Sequence, residues 1–437
     1  KLAGQGIFMP TLRITAKWTN HPWQRHKICE EDFGGNLYKY KDYYQVKEPV
    51  RIRMSRYRLL DEKETYKPVA RSIPGKPLMK ILIIGALNYN PERFCAWEEA
   101  GCQLYGYWYP VPSMAHESIG PFPFGHIETI PHGTDWTERV RDICPDLIYL
   151  CFCCSSLEFV YDSMMELRKA GVHVPFVWHL KEGPQLCMRF GTWPKLMELY
   201  ELSAGNIITN RRTKEWYDLF LPTGKPYLIL DQEMPKKEYF ERPFSPKISA
   251  SDGEIHTVVI GRMIGISVED MRRLAAHRIH VHLYSASYYR QKNTGNNLYG
   301  RVAQGYFHVH AYCPNEKWVE EFSRYDAGWL HAGHSRNRGD LFRAMWDDLN
   351  IPARVGTLAA AGLPMILRRN TEHIVASKEL SEQYGIGILY DSITELATQL
   401  HDKDFMDILT RNMQEHRMEF TMDAHTPELI RFFQSLI

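Results

Sequence analysis

A chain of 437 residues is long enough for two or three domains with cores of their own. Its apolar share of 44% and charged share of 24% exclude a disordered chain, and the lack of any apolar run of about 18 residues or more excludes a helical membrane span. Net charge is only +1, yet residues 1–78 carry 16 Lys+Arg against 8 Asp+Glu, a net of +8, which leaves −7 for the rest.

No secretory signal is read ahead of the first strand, in a sequence that opens at Lys1. Nine Cys are present, several of them inside apolar runs such as Leu150-Cys151-Phe152-Cys153-Cys154. Cys151 and Cys154 have a zinc-like spacing but no second ligand pair, so buried reduced thiols and a cytoplasmic location are expected.

Residues 1–78 mix basic side chains with Trp18, Trp23, Tyr38, Tyr40, Tyr43 and Tyr44, and Val50 to Met54 alternates like a strand with one charged face. Such a segment suits either a small β-rich cap on the acidic body or a track for a nucleic-acid backbone. Ile73-Pro74-Gly75-Lys76-Pro77 reads as a linker. Lys80 to Ala86 is then a continuous apolar strand of the sort found in a parallel sheet covered on both faces. A helix from Pro91 to Ala100, a glycine stop at Gly101 and a second strand to Trp108 complete a βαβ unit. Gly-x-Gly-x-x-Gly is missing there, which argues against a dinucleotide-dependent oxidoreductase.

Strands follow at Asp146–Phe152 and Val174–His179, with a helix over Glu158–Ala170 between them. The polar cluster His179-Leu180-Lys181-Glu182 lies at the C-terminal end of the second, the edge where open α/β sheets carry their ligand crevice. Gly205–Asn210 and Tyr227–Leu230 read as strands around the helix Arg211–Leu221, and the polar stretch Glu241–Gly253 reads as a linker. A second α/β set comprises the strand His256–Arg262, the helix Val268–His277, the strand His280–Tyr284, a loop at Lys292–Asn297, the helix Lys317–Arg324 and the strand Ala327–His331. After it comes Asp347 to Ile366. Its small-residue helix Thr357–Ala361 permits close backbone approach, Gly362 ends it, and Met365–Leu367 begins another strand. Gly387–Tyr390 is a further strand, and residues 411–437 read as helical.

The run Pro352-Ala353-Arg354-Val355-Gly356-Thr357-Leu358-Ala359-Ala360-Ala361-Gly362-Leu363-Pro364 resembles the donor segment of GT-B glycosyltransferases of the bacterial family 4 and family 1 type. In that resemblance Arg354 stands where a phosphate-contacting Lys is common, and Thr357 where a Glu usually holds the donor ribose. Gly261-Arg262 after a strand resembles the family's Gly-Arg pair, whose Arg reaches the donor diphosphate. Asp348 lies near the place of the first Glu in the retaining members' Glu-x7-Glu pair. The resemblance implies two Rossmann-like doubly wound domains, with a last helix that crosses back onto the first domain. The expected division is 1–78 for the basic aromatic extension, 79–245 for the acceptor side, 253–410 for the donor side and 411–437 for the returning helix.

His334 and Asp340, in the loop His331–Asp340, add donors and acceptors suited to sugar hydroxyls or a base. His179 is the expected catalytic group, able to accept a proton from an acceptor hydroxyl with Glu182 to orient it; His126 and His132 are its rivals. No Asp-x-Asp motif occurs near Asp347-Asp348, so no essential metal and no cofactor beyond a nucleotide-sugar co-substrate are expected. The expectation is therefore a glycosyltransferase (EC 2.4) moving a sugar from a nucleotide-sugar donor to an acceptor hydroxyl. Two alternatives stay open: a DNA base-modifying glycosyltransferase that uses the extension, and a catalytically silent scaffold of the same fold.

Overall fold

The computed structural model describes residues 77–86, 91–109, 127–181, 183–285, 288–289 and 298–437. The expectations for the extension up to residue 76, for His126, for Glu182 and for the loop 292–297 lie outside these residues.

The first sheet holds seven strands: β1 (Met79–Gly85), β2 (Cys102–Trp108), β3 (Glu128–Thr129), β4 (Leu147–Phe152), β5 (Phe176–Leu180), β6 (Gly205–Ile208) and β7 (Tyr227–Ile229). All pair in parallel, in the order β3-β2-β1-β4-β5-β6-β7. The chain walks outward from β1 and then restarts on β1's other side, so β1 and β4 flank a topological switch point. Both strands are buried on both faces, which is why each reads as an unbroken apolar run. A side chain at Gly85 would put its Cβ 1.8 Å from the carbonyl oxygen of Cys151, so only glycine allows the two strand ends to meet.

The second sheet repeats the plan with β8 (Ile255–Ile260), β9 (Ile279–Tyr284), β10 (Phe307–His310), β11 (Ala327–Trp329), β12 (Met365–Arg368) and β13 (Gly387–Tyr390). Its parallel order is β10-β9-β8-β11-β12-β13, with the switch point between β8 and β11. The helix Arg354–Ala360 packs Leu358, Ala359 and Ala360 wholly out of water against this sheet. A Cβ on Gly328 of β11 would fall 2.2 Å from a Leu358 methyl, so the missing side chain at Gly328 makes room for Leu358 and sets this close approach.

The helix Lys403–His416 packs Leu409 and Met413 on the second sheet's side. A 3₁₀ turn, Arg417–Phe420, then leads into the helix Met422–Gln434, which Thr421 caps through Ala424 N–H. That last helix inserts Met422, Leu429 and Phe433 into the core beneath β1 and β4, with Phe433 5.5 Å from Trp97 ring to ring. Each such side chain removed from water contributes roughly 1.5–3 kcal/mol. The helices Trp136–Ile143, Pro184–Phe190 and Trp193–Leu202, and the strand β10, are elements that the sequence reading does not contain. The stretch expected as a linker includes a short helix, Ser249–Asp252.

Candidate functional site

At the second switch point Gly261 follows β8, and its φ of +90° turns the chain and leaves Arg262 exposed. Arg354 opens the neighbouring helix and is only 9% exposed. Its guanidinium donates to the carbonyl of Arg262 (Nη2, 3.0 Å) and to the carbonyl of Trp329 (Nη1, 3.4 Å), tying the ends of β8 and β11 together. His331, two residues beyond β11, holds Nδ1 3.6 Å from Asp347 Oδ1. Burial pushes its pKa down to about 4, Asp347 partly offsets this, and the Arg354 and Arg262 charges lower it further. At neutral pH the ring is uncharged, offering one N–H and one lone pair beside two guanidinium groups. Asp347 itself is half exposed, at 53% of its side chain.

The first domain meets this region from across a seam. Lys181, directly after β5, donates to Asp231 Oδ1 (2.8 Å) and to the carbonyl of Ile351 (2.9 Å), and Glu233 lies 3.4 Å away. Burial works against its charge, but Asp231 and Glu233 outweigh that and raise its pKa. Asn210 Nδ2 donates to the carbonyl of Leu349 (2.7 Å) and Gln185 to that of Ala344 (2.9 Å). Arg212 Nε donates to both carboxylate oxygens of Glu379, at 2.8 and 2.9 Å. The short helix Trp346–Leu349 and the entry to Arg354–Ala360 are thus fixed by the opposite domain. Beside them a cavity of about 670 Å³ opens between the domains, lined by Asn210, Arg212, Asp231, Ala353 and Glu379 among others.

No protein-family model matches the sequence, and no curated protein matches it. Solved structures do match. Sucrose-phosphate synthase from Thermosynechococcus elongatus superposes with a TM-score of 0.56 at 10% identity, covering 82% of this chain and 99% of that one. HepE from Anabaena, in complex with UDP, gives 0.57 at 11% identity over 82% of this chain and 100% of that one. The trehalose-6-phosphate protein from E. coli, bound with UDP-2-fluoro glucose, gives 0.53 at 10% identity over 82% and 99%. All three are GT-B glycosyltransferases, and their span takes in both doubly wound sheets. This chain has the GT-B fold.

Within that GT-B frame the structure gathers some of the expected residues and disperses others. Gly261, Arg262 and Arg354 converge at the second switch point. Thr357 is in the same helix but is buried. Asp348 is buried too, and its Oδ2 accepts from Met345 N–H at 2.8 Å, capping the helix Trp346–Leu349; Asp347 is the acid that faces His331. Asp340 is exposed and accepts from Phe342 N–H (3.0 Å), a local turn cap. His334 lies in a separate cavity of about 270 Å³ at the ends of β12 and β13, with Arg368, Asn370 and Tyr390.

The expectation for His179 is corrected. Its side chain points into the core, fully buried, with Nδ1 2.7 Å from Tyr149 OH and Nε2 3.1 Å from the carbonyl of Leu230. Burial, helped by Arg93, drives its pKa well below the ordinary histidine value. Both ring nitrogens are used, and neither reaches the seam. The cause is the register: in β5 the outward turn of the chain comes at Lys181, not at His179. His132 bonds to the carbonyl of Trp108 (2.8 Å) and to Tyr107 OH (3.1 Å), on the far side of the first sheet from β5. His331 is the residue that the sequence reading passed over. Its signal was its place immediately after a strand at a switch point, one strand across from Gly261-Arg262.

Proposed function

We propose that this GT-B chain is a glycosyltransferase of class EC 2.4 that takes a sugar from a UDP-sugar and delivers it to an acceptor hydroxyl in the inter-domain cleft. The single observation behind the reading is the convergence of Arg262, His331 and Arg354, from three separate segments, at the second switch point. The choice of UDP rests on the ligands of two neighbours, HepE with UDP and the E. coli protein with UDP-2-fluoro glucose.

In the reaction the bond from the sugar's anomeric carbon to the diphosphate breaks, a bond to the acceptor oxygen forms, the acceptor hydroxyl's proton passes to the departing phosphate or to solvent, and negative charge gathers on that phosphate as it leaves. In this proposal Arg262 meets that charge with a forked pair of N–H donors. Arg354 acts one step back, as a positioning residue that holds the Arg262 carbonyl and hence the turn carrying the side chain. His331, neutral, donates to a phosphate or sugar oxygen without adding charge. With protein cations in this role the reaction is proposed to need no metal. Closure of the seam at Lys181 and Asn210 excludes water from the reacting bond. We propose a cytoplasmic location, a reading that the free thiols of the eight described cysteines support.

The DNA-acceptor and scaffold alternatives have no observation in their favour among the described residues. A UDP-release assay over a panel of UDP-sugars tests the proposal. Turnover of at least one donor by the wild type, lost in Arg262→Ala and kept in His179→Gln, is the expected result. No turnover with any donor, or full turnover in Arg262→Ala, overturns it.

A further inference from the structure

Five histidines cross the edge of the second sheet in two hydrogen-bonded rows, each anchored on a carboxylate. In one row His256 Nε2 lies 2.9 Å from Asp252 Oδ2, His256 Nδ1 2.9 Å from His282 Nε2, and His282 Nδ1 3.0 Å from His310 Nε2. In the other His280 Nε2 lies 2.8 Å from Glu254 Oε2, and His280 Nδ1 2.9 Å from His308 Nε2. A carboxylate only accepts, so His256 and His280 must donate from Nε2 and present a lone pair at Nδ1. His282 and His308 must then donate from Nε2 in turn, and so must His310. While every ring is neutral, the carboxylates thereby dictate one tautomer for each. A single proton taken up at Nδ1 of a row's last ring, His308 or His310, leaves the hydrogen bonds closed, whereas a second proton in the same row sets two N–H groups head on. Even the first charge meets the other row, because His282 stacks on His308 at 4.4 Å and His256 on His280 at 4.2 Å.

We propose that these rows form an acid-sensitive latch, which holds the edge strand β10 on the sheet at neutral pH and releases it on acidification. Among the described residues β10 pairs with β9 alone, so its side-chain ties to β9 carry much of its attachment. From β10 the chain runs into the helix Trp318–Phe322, whose Trp318, Val319 and Phe322 share a core with Val355 and Leu358 of the Arg354 helix. Release of β10 therefore loosens the wall behind the candidate donor site.

The other groups around the rows are in place to be felt. Arg278 pairs with Glu254, and the Tyr306 ring lies 4.6 Å from His280. Tyr325 lies 4.7 Å from His282, and Tyr284 stacks on His310 at 4.4 Å and bonds to Glu321, which Arg324 approaches at 3.6 Å. Asp326 binds His256 N–H and Ser249 Oγ, and Lys247 donates to the carbonyl of Tyr325. None of these puts a second acid against His282 or His308. Burial, with the neighbouring ring charges, holds His282 down to about 2 and His308 down to about 4. The unfolded value is about 6.5, so the released state binds more protons. Attachment is complete above roughly pH 6.5 and falls, by up to about tenfold per pH unit for each ring, as pH drops from there towards about 4.

Hydrogen exchange on the full chain, corrected for the intrinsic pH dependence, supplies the test. β13, the opposite edge strand, contains no histidine and serves as the internal control. Between about pH 7 and about pH 5, protection over residues 298–314 is expected to fall by about 10- to 100-fold while that of β13 holds. His308→Gln keeps a donor at the strand edge but cannot titrate, and it should cut the fall by about tenfold. Parallel loss in β10 and β13 in the wild type overturns the latch, whatever the variant does. So does an undiminished fall in a folded His308→Gln.

Discussion

The two sheets share one strand order, yet their switch points end in opposite ways. Beneath the first, Arg93 is wholly buried, its Nη2 3.3 Å from Cys151 Sγ and its guanidinium over the Phe94 ring. The Cys151 thiol, pushed up to about 11 by burial, donates to Gln232 Oε1 at 3.0 Å, and Gln232 donates to the carbonyl of His179 at 3.4 Å. At the second switch point the buried guanidinium of Arg354 binds backbone carbonyls, and another, Arg262, stays at the surface. Topology nominates both crevices. The side chains leave a cation available in one and consume their polar groups internally in the other.

The largest effect comes from breaking the seam that joins the two regions. Lys181→Met strands Asp231 and Glu233 without their cation, and removing one partner from a buried ion pair costs about 3–5 kcal/mol. Calorimetry should record a Tm lower by roughly 10 °C. Next comes Arg262→Ala, which is expected to weaken UDP binding by about 10- to 100-fold, the worth of charged hydrogen bonds, with stability unchanged within about 0.5 kcal/mol. His179→Gln should show the reverse pattern: about 1–3 kcal/mol of stability lost with its buried bonds, and unchanged UDP affinity in a calorimetric titration. A loss of UDP affinity in that variant would erase the contrast between the two crevices.

Acid sharpens the comparison within the second site. The pKa of His331 is held at about 4, below the unfolded value of about 6.5, so folding is disfavoured by up to about tenfold per pH unit as pH falls between them. His331→Asn should flatten that part of the stability profile and leave the profile above about pH 7 alone. The smallest expected effect is that of Asp340→Ala, about 0.5–1 kcal/mol from a lost turn cap with donor binding intact.

Much of the fold was legible because central parallel strands announce themselves. Lys80–Ala86 and Asp146–Phe152 read as strands since both of their faces are buried. The small residues from Thr357 to Ala361 predicted a close helix–sheet approach, and at the contact between Gly328 and Leu358 the room comes from the strand's glycine. β10 was illegible for the opposite reason. Its Phe307-His308-Val309-His310 is half-buried, and its polar face is satisfied by histidines on another strand, a pairing that no local pattern encodes. The site was legible as a set of segments but not as a set of side chains. Motifs singled out Gly261-Arg262 and Arg354, which the structure brings together, whereas choosing between Asp347 and Asp348 required the capping bond to Met345. His179 misled because a strand-end histidine is placed by the strand's register, and the crevice edge fell two residues later.

The most direct test is a calorimetric titration of UDP into the wild type and into Arg262→Ala at equal protein stability. Saturable binding to the wild type that weakens about 10- to 100-fold in the variant is the predicted result. Equal affinity in both proteins, or no binding to the wild type, would contradict the placement of the donor diphosphate at the second switch point.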